Sequence, residues 1–425
     1  MRAVYSLAFR CLLPLALAYL LLLGRRDRRY WRDWKERFGR VEPTGHRRRT
    51  IWVHAVSVGE VMAATPLIRR IMAERPESGV VVTTFTPTGR ERARAAFGDS
   101  VRHCYVPLDL PGAVRRFLDR VDPELAIVME TELWPNLFNQ CRRRGIPVVL
   151  ANARISRRSL QAYRRLRRLV AWTLARVTLA AAQSEADASR LDTLGMPRER
   201  LRITGNLKFD FPFDPSGRRQ GLQWRASWGP RRPVWIAAST HEGEDEQVLR
   251  AHRALRQRIP QALLLLVPRH PHRFAAAGAL CTGQGFAVAR RSAGETPGPH
   301  TDVFLGDTMG ELMLYYAAAD IAFVGGSLVR VGGHNLLEPA SLGLPLLTGP
   351  ELFNFADISA ALEEAGALRV VRNADELAAT VASLMGDPER AHAMGEQGLD
   401  LVRRNGGVLD SLLRELAPYL GGSAA

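Results

Sequence analysis

Short apolar runs that alternate with helix-period stretches, twice over along the chain, restrict the fold more than any other feature. In the first series Thr50 to Ser57 (TIWVHAVS), Val80 to Thr84, Leu125 to Met129, Val148 to Ala151 and Val177 to Ala182 are each followed by polar turn residues and a helical pattern. Parallel strands need a crossover of a dozen or more residues, usually a helix, and a sheet covered on both faces is built from strands that are apolar throughout. The alternation therefore predicts an α/β fold of βαβ units with helices on both faces of a parallel sheet. A second series comprises Val234 to Ala238, Ala262 to Val267, Ala287 to Ala289, Val303 to Leu305, Ile321 to Val324 and Leu344 to Thr348. Between the two lies a stretch rich in Pro, Gly and polar residues, read as a linker over 209–233. With 425 residues available, the expectation is two Rossmann-like domains facing a central cleft, one over 50–208 and one over 234–425.

The N-terminus reads as an address. From Ala3 to Leu23 the chain is apolar apart from Ser6 and Arg10, and Arg25, Arg26, Arg28 and Arg29 follow at once. A cleaved signal peptide carries its charge before the apolar run and small residues after it. Residues 1–24 are accordingly expected to be a membrane anchor, and 25–49 a basic juxtamembrane segment. Arg10 leaves Cys11 to Leu23 as the strongest apolar stretch, short of the ~20 residues of a full span. Two arrangements stay open: a span in which Arg10 snorkels, and a helix lying in the interface. The basic cluster, which continues through Arg37, puts the rest of the chain on the cytoplasmic side. Four widely separated cysteines without a CxxC argue against a disulfide framework or a structural zinc.

Charge narrows the partners. There are 59 Lys plus Arg against 43 Asp plus Glu, a net charge of +16, and only Lys35 and Lys208 are lysines. Nucleic acid, an anionic membrane and phosphorylated small molecules all match such an excess. Between Glu132 and Glu185 there is no acidic residue, and eleven arginines fall in that gap. Within it Leu160, Tyr163, Leu166 and Val170 recur at helical spacing, with Arg157, Arg158, Arg164, Arg165, Arg167 and Arg168 around them. A basic amphipathic helix of this kind lies on an anionic bilayer or grips a phosphorylated ligand. No nucleic-acid reading module and no interleaved aromatics accompany it, so nucleic acid is set aside.

Ligands of open parallel sheets bind beyond the carboxyl ends of the strands, which singles out the residues just after each run. Glu60, in Ser57-Val58-Gly59-Glu60, starts a helix there and reads either as a capping acid or as a general base for an acceptor hydroxyl. Glu130 and Glu132, with Trp134, Pro135 and Asn136 behind them, suit a pocket for a polyhydroxylated acceptor. Lys208 in GNLKFD places a compact ammonium where the chain otherwise uses Arg. In the second series Pro268, Arg269 and His270 follow the run LLLLV, where an arginine suits a phosphate oxygen. Gly325, Gly326, Gly332 and Gly333, with Asn335 and Glu338 opening a helix, read either as tight turns or as a nucleotide phosphate cradle with Glu338 on the ribose. No metal-ligand spacing is present, and no cofactor is called for.

The strings WVHAVSVGE (52–60), METELWPN (129–136), ANARIS (151–156), GNLKFD (205–210), PRHP (268–271) and GGHNLLEP (332–339) resemble, in that order, the 3-deoxy-D-manno-octulosonic acid (Kdo) transferases. The resemblance runs from the anchor to the final helices. It implies a GT-B glycosyltransferase that inverts configuration without an essential metal and moves Kdo from CMP-Kdo to the lipid A precursor, lipid IVA, at the inner membrane, in lipopolysaccharide synthesis. By motif, Glu60 corresponds to the catalytic base, Glu130 or Glu132 to a second required acid, Lys208 to the motif lysine, and Arg269, Asn335 and Glu338 to the CMP side. Arg90, Arg164, Arg165, Arg167 and Arg168 are grouped with the acceptor and the membrane. A GT-B enzyme with another nucleotide-sugar donor is the alternative.

Overall fold

The structure is a computed structural model that describes residues 2–44, 49–210, 215–229 and 231–420. The chain divides into two units, 1–210 with 405–425, and 211–404. In the first, seven parallel strands, β1 (Thr50–His54), β2 (Gly79–Thr84), β3 (Arg102–Tyr105), β4 (Leu125–Met129), β5 (Val148–Ala153), β6 (Leu179–Ala182) and β7 (Leu201–Ile203), form one sheet in the order β3-β2-β1-β4-β5-β6-β7. The second has β8 (Val234–Thr240), β9 (Leu263–Pro268), β10 (Val288–Arg290), β11 (Val303–Leu305), β12 (Ile321–Val324), β13 (Leu346–Thr348) and β14 (Leu368–Val370), in the order β10-β11-β9-β8-β12-β13-β14. Strand order reverses between β1 and β4 in one sheet and between β8 and β12 in the other, so each unit is a doubly wound sheet with its own switch point.

Burial explains why the central strands were visible and three of the four edges, all but β10, were not. In β1 and β4 every residue is buried, and alternate side chains feed two cores. Trp52, Val81, Ala126 and Val128 pack on one face with Phe117 and Phe138. Ile51, Val53, Val82, Ile127 and Met129 pack on the other with Leu67, Ile68 and Ile71. The edge strands β3 (RHCY), β7 (LRI) and β14 (LRV) are only partly buried. They carry too few apolar residues for a run to show in the sequence.

Four features differ from the sequence expectation. Most of the expected linker is the helix Pro215–Ser227, of which Trp224 and the following Trp228 pack against Phe304; residues 211–214 and 230 lie outside the described residues. The second domain does not run to the C-terminus: the helix Val408–Leu416 belongs to the first unit. Its Val408, Leu412 and Leu416 join the core with Leu67, Ile71 and Leu207. Asp210 accepts from the Leu409 amide, and Gly205 (φ +99°) lets Val408 approach so closely that a Cβ would stand 2.7 Å from its Cγ2. The basic stretch 157–174 is two helices, Arg157–Arg165 and Arg167–Leu174, broken at Leu166, which is 60% exposed and so lies off the apolar face. Finally, Arg37 leaves the basic cluster for the interior. It is fully buried over the rings of Phe85 and Tyr105 and donates to the Phe85 carbonyl at 3.0 Å. Of the juxtamembrane segment, residues 45–48 lie outside the described residues.

The returning helix generates a prediction. Leu412→Ala is expected to cost about 2–5 kcal/mol, the usual range for a buried leucine, in the unfolding step of the first unit. A urea melt resolved by unit, with the first transition unshifted, would contradict this packing.

Candidate active site

At the first switch point β1 ends in His54 and the chain turns into the helix Val58–Glu74 through Ala55, Val56 and Ser57. The Ser57 hydroxyl accepts from the Glu60 amide at 3.4 Å, and Glu60 reaches back: Oε2 accepts from the Val56 amide at 2.8 Å and Oε1 from the Ser57 hydroxyl at 2.9 Å. This is a capping-box pairing in which Glu60 accepts from the amide one residue before the N-cap, so the capping reading of Glu60 is correct as far as it goes. The residue is also only 8% exposed. Burial, opposed by the Val56 hydrogen bond and reinforced by the negative fields of Glu130 and Glu132, pushes its pKa up to about 7. A carboxyl balanced between charge states near neutrality is suited to taking a proton.

Across the switch point β4 delivers the other two acids. Glu130 sits in the left-handed region (φ 54°), a conformation that costs a non-glycine residue free energy and recurs at functional sites. Its Oε1 lies 3.7 Å from Lys208 Nζ. Glu132 accepts from Trp134 Nε1 at 3.1 Å, and burial raises its pKa. Edge-on to Trp134 lies His54, which is buried and held neutral, its pKa lowered by burial to about 4. The structure thus brings Glu60, Glu130, Glu132 and Lys208 to one sheet end.

Two supports of this cluster were not singled out from the sequence. Asn152, also left-handed (φ 57°) and fully buried, accepts from the Leu207 amide at 2.9 Å, which fixes the turn Leu207–Phe209 that carries Lys208. Asp109, fully buried, accepts from the Asn136 and Leu137 amides at 2.9 and 2.8 Å. It thereby anchors the start of the helix Pro135–Arg143 behind Trp134. The signal for Asn152 was the polar residue in ANARIS, at the end of a buried strand; Asp109 follows β3, an edge strand with no clear apolar run.

In the second unit β9 ends at Pro268, and Arg269 and His270 are exposed beyond it, with the Arg269 amide donating to the Thr240 carbonyl at 3.0 Å. Arg269 makes no ion pair among the described residues, yet its charge reaches Glu338, His241 and His334. Glu338, raised by burial and lowered by Asn335 and Arg269, accepts from Asn335 Nδ2 at 3.1 Å. His241 and His334 meet Nε2 to Nε2 at 2.8 Å with nearly parallel rings, and burial lowers both, His334 to about 4. Both histidines belong to this cluster; His334 stands in the GGHNLLEP motif, and His241 was not singled out in the sequence. The signal was a His-Glu-Gly-Glu turn after β8.

The glycine loop departs from the phosphate-cradle expectation. Its amides are already used: Glu244, fully buried, accepts from Gly326 at 2.6 Å, Ser327 at 2.9 Å, Leu328 at 2.8 Å and His241 at 3.1 Å. A Cβ on Gly325 would lie 2.9 Å from Glu244 Oε2, so that glycine makes room for a protein carboxylate. Gly332 and Gly333 donate to the Gly326 carbonyl at 3.1 and 2.7 Å. The helix after them is the single turn Leu337–Ala340, and Asn335 Oδ1 takes the Leu337 amide. Gly325 and Gly326 thus serve a tight turn around Glu244, and the cationic groups described at this strand edge are side chains. Among the described residues no group of three His, Cys, Asp or Glu is placed to hold a metal ion.

The five arginines grouped with acceptor and membrane divide. Arg164, Arg165, Arg167 and Arg168 are exposed and without ion pairs among the described residues. Arg90 is not available: it is 7% exposed and is held by Asp33 at 2.7 Å, by Glu36 at 3.0 Å and over the Tyr105 ring. Its position at the head of the helix Pro87–Phe97 concealed that internal pairing.

Residues 32–211 match the sequence model of the 3-deoxy-D-manno-octulosonic-acid transferases, and 232–400 that of the glycosyl transferases group 1. A 3-deoxy-D-manno-octulosonic acid transferase of Haemophilus influenzae is 47% identical over 414 residues, covering 96% of each chain. The chain belongs to the Kdo transferase family. A Bordetella pertussis protein of the same name is 40% identical over 99% of this chain and all of the other. Among solved structures, Acinetobacter baumannii MurG superposes with a TM-score of 0.55 at 11% identity over 87% of this chain and 99% of its own, a likeness of GT-B fold. The chain is thus a Kdo glycosyltransferase with two doubly wound units.

The raised carboxyl of this Kdo transferase has a thermodynamic sign. The folded state binds the Glu60 proton more tightly than the unfolded chain, so ionisation between about pH 4.5 and about pH 7 removes stability. Glu60→Gln keeps an amide able to cap, and its thermal stability is expected to fall less than that of the parent as pH rises through this window. Equal slopes in both proteins would assign the cost to another group.

Proposed function

We propose that the protein transfers Kdo from CMP-Kdo to lipid IVA, with inversion and without a metal ion, on the cytoplasmic side of the inner membrane in lipopolysaccharide synthesis. The observation that carries this reading is the buried Glu60 carboxyl, raised to about 7 beside Glu130, Glu132 and Lys208 at the first switch point. In the reaction Glu60 accepts the proton of an acceptor hydroxyl as its oxygen bonds to the anomeric carbon of Kdo. The bond from that carbon to the CMP phosphate oxygen breaks, and CMP leaves with the electron pair. Glu130 or Glu132 serves as the second acid that orients the acceptor, and Lys208, 3.7 Å from Glu130, offsets part of the negative charge there.

On the donor side, Arg269, which makes no ion pair among the described residues, supplies a fixed positive charge for the phosphate, where charge grows as CMP departs. Asn335 and Glu338 address the nucleoside, and His241 and His334 line the same strand edge. The exposed arginines 164, 165, 167 and 168 offer an uncompensated cationic surface to the phosphates of the glycolipid or its membrane. The 25-residue apolar helix at the N-terminus supports attachment to that membrane.

Purified full-length protein given CMP-Kdo and lipid IVA is expected to release CMP and produce a heavier lipid by mass analysis; no transfer with a competent control enzyme would refute the reading. Glu60→Gln should lower transfer by about 10²–10⁴-fold, the usual contribution of a general base, with CMP-Kdo affinity retained. Because the base acts deprotonated, kcat/KM in the parent should climb with pH and level off above about 7, and that limb should vanish in the variant. Turnover near the parental rate in Glu60→Gln would remove this residue from the mechanism. Arg269→Ala should weaken CMP binding by roughly tenfold or more, the range for one charge-assisted contact. Unchanged donor affinity would contradict its assignment.

A further inference from the structure

The N-terminal helix α1 (Arg2–Arg26) passes the length and hydropathy tests for crossing a membrane, yet both of its ends are tied to the first unit. At its start Ser6 is buried and donates to Asn136 Oδ1 at 3.0 Å, and Tyr5 lies within the field of Asp109. At its end Leu20 is buried, and Trp31 Nε1 donates to the Leu21 carbonyl at 3.2 Å. The segment just beyond is held to the same unit by Arg29 with Glu91 and by Asp33 and Glu36 with Arg90. Between the ends the half-buried Phe9, Leu13 and Leu17 fall on the same side as Ser6 and Leu20. A helix of this length is about 37 Å long at ~1.5 Å per residue, so a bilayer crossing would carry one end away from the unit that both ends touch.

The other face of α1 is apolar along its whole length. Val4, Leu7, Leu12, Leu15, Tyr19 and Leu22 are 56–70% exposed, a contiguous surface that water does not favour. Its surroundings are cationic. Arg10 and Arg25 are exposed on the helix itself, and Arg2 lies within the field of Arg176, as does Arg142. The helix Pro135–Arg143 touches both α1 and the basic helix Arg167–Leu174, so the apolar face and the exposed arginines 167 and 168 flank one common element. Apolar depth bordered by arginines that make no ion pair among the described residues matches an anionic lipid monolayer, which supplies acyl chains and negative headgroups together.

We propose that α1 is an in-plane, monotopic membrane helix that lies flat in the monolayer on the side of the catalytic units and does not cross the bilayer. This rests on the membrane-enzyme reading above and sharpens it. Asn136 directly follows the Trp134-Pro135 turn whose indole holds Glu132. The Ser6 contact therefore sets the acidic acceptor loop at the height of the headgroups, where a phosphorylated glycolipid presents its hydroxyls.

The test uses the full chain in vesicles of phosphatidylethanolamine and phosphatidylglycerol. Cys104, Cys141 and Cys281 are buried while Cys11 is exposed, so a bimane fluorophore can be placed on Cys11 and, with Cys11→Ser, on Val4→Cys or Leu22→Cys. Quenching by nitroxides at shallow and deep acyl positions is expected to give one common, shallow depth for all three sites. An N-terminal epitope should be cleaved by external protease in the same vesicle fraction as the catalytic units. Graded depths with Cys11 near the bilayer centre, or an epitope protected while the units are cut, would overturn the proposal, as would absence of quenching at every site. Replacing Leu7, Leu12 and Leu15 together by Asn should lower vesicle partitioning by about tenfold or more; unchanged partitioning would count against the apolar face. Transfer to lipid IVA dispersed in detergent, measured on the same preparation, separates failure of this geometry from failure of the transferase reading.

Discussion

A parallel sheet cannot close its strands with tight turns, and that constraint orders everything else in the protein. Each strand must end on the same edge and hand over to a helix that travels back across the sheet, so polar residues after the strands accumulate along one rim. Where strand order reverses, the two central crossovers depart in opposite directions and leave a gap at that rim. In the first unit the gap between β1 and β4 is occupied by Glu60 and the loop of Glu130 and Glu132. In the second it is occupied by His241, the glycine loop and Arg269 nearby. The chemistry is placed by topology before any individual side chain is considered.

The two rims solve opposite electrostatic problems. The first concentrates carboxyls and tempers them with one lysine 3.7 Å from Glu130, and burial keeps at least one carboxyl able to exchange a proton near neutral pH. The second assembles Arg269 with histidines that burial keeps neutral, while the fully buried Glu244 is turned inward onto backbone amides. Glu244 thus braces the glycine loop from within, its side-chain oxygens occupied by the amides of Gly326, Ser327 and Leu328.

Much of this was legible in the sequence, and most of the failures share a cause. Central strands such as LLLLV and IAFV are apolar at every position, and the acids and the arginine just beyond strand ends could be found by position alone. What stayed hidden was pairing at a distance. Arg37 and Arg90 look like members of a basic cluster, and only the fold shows Phe85 and Tyr105 stacked on one, Asp33 and Glu36 on the other. The glycines of 325–333 carry the composition of an anion nest, and only the fold shows that the anion is Glu244, some eighty residues upstream. The broken basic helix was missed for a local reason: Leu166 keeps apolar spacing in the sequence while its backbone leaves the helical region (φ −113°, ψ 27°).

The return of Val408–Leu416 to the first unit governs the order in which the polypeptide can mature. The second unit, 211–404, is an uninterrupted stretch and holds all of its own strands as soon as it leaves the ribosome. The first unit, begun earlier, keeps an uncovered hydrophobic surface at Leu67, Ile71 and Leu207 until the last helix emerges. At roughly 5–20 residues per second, that surface stays open for about ten seconds or more. The first unit therefore completes its core only after the whole of the second has been synthesised.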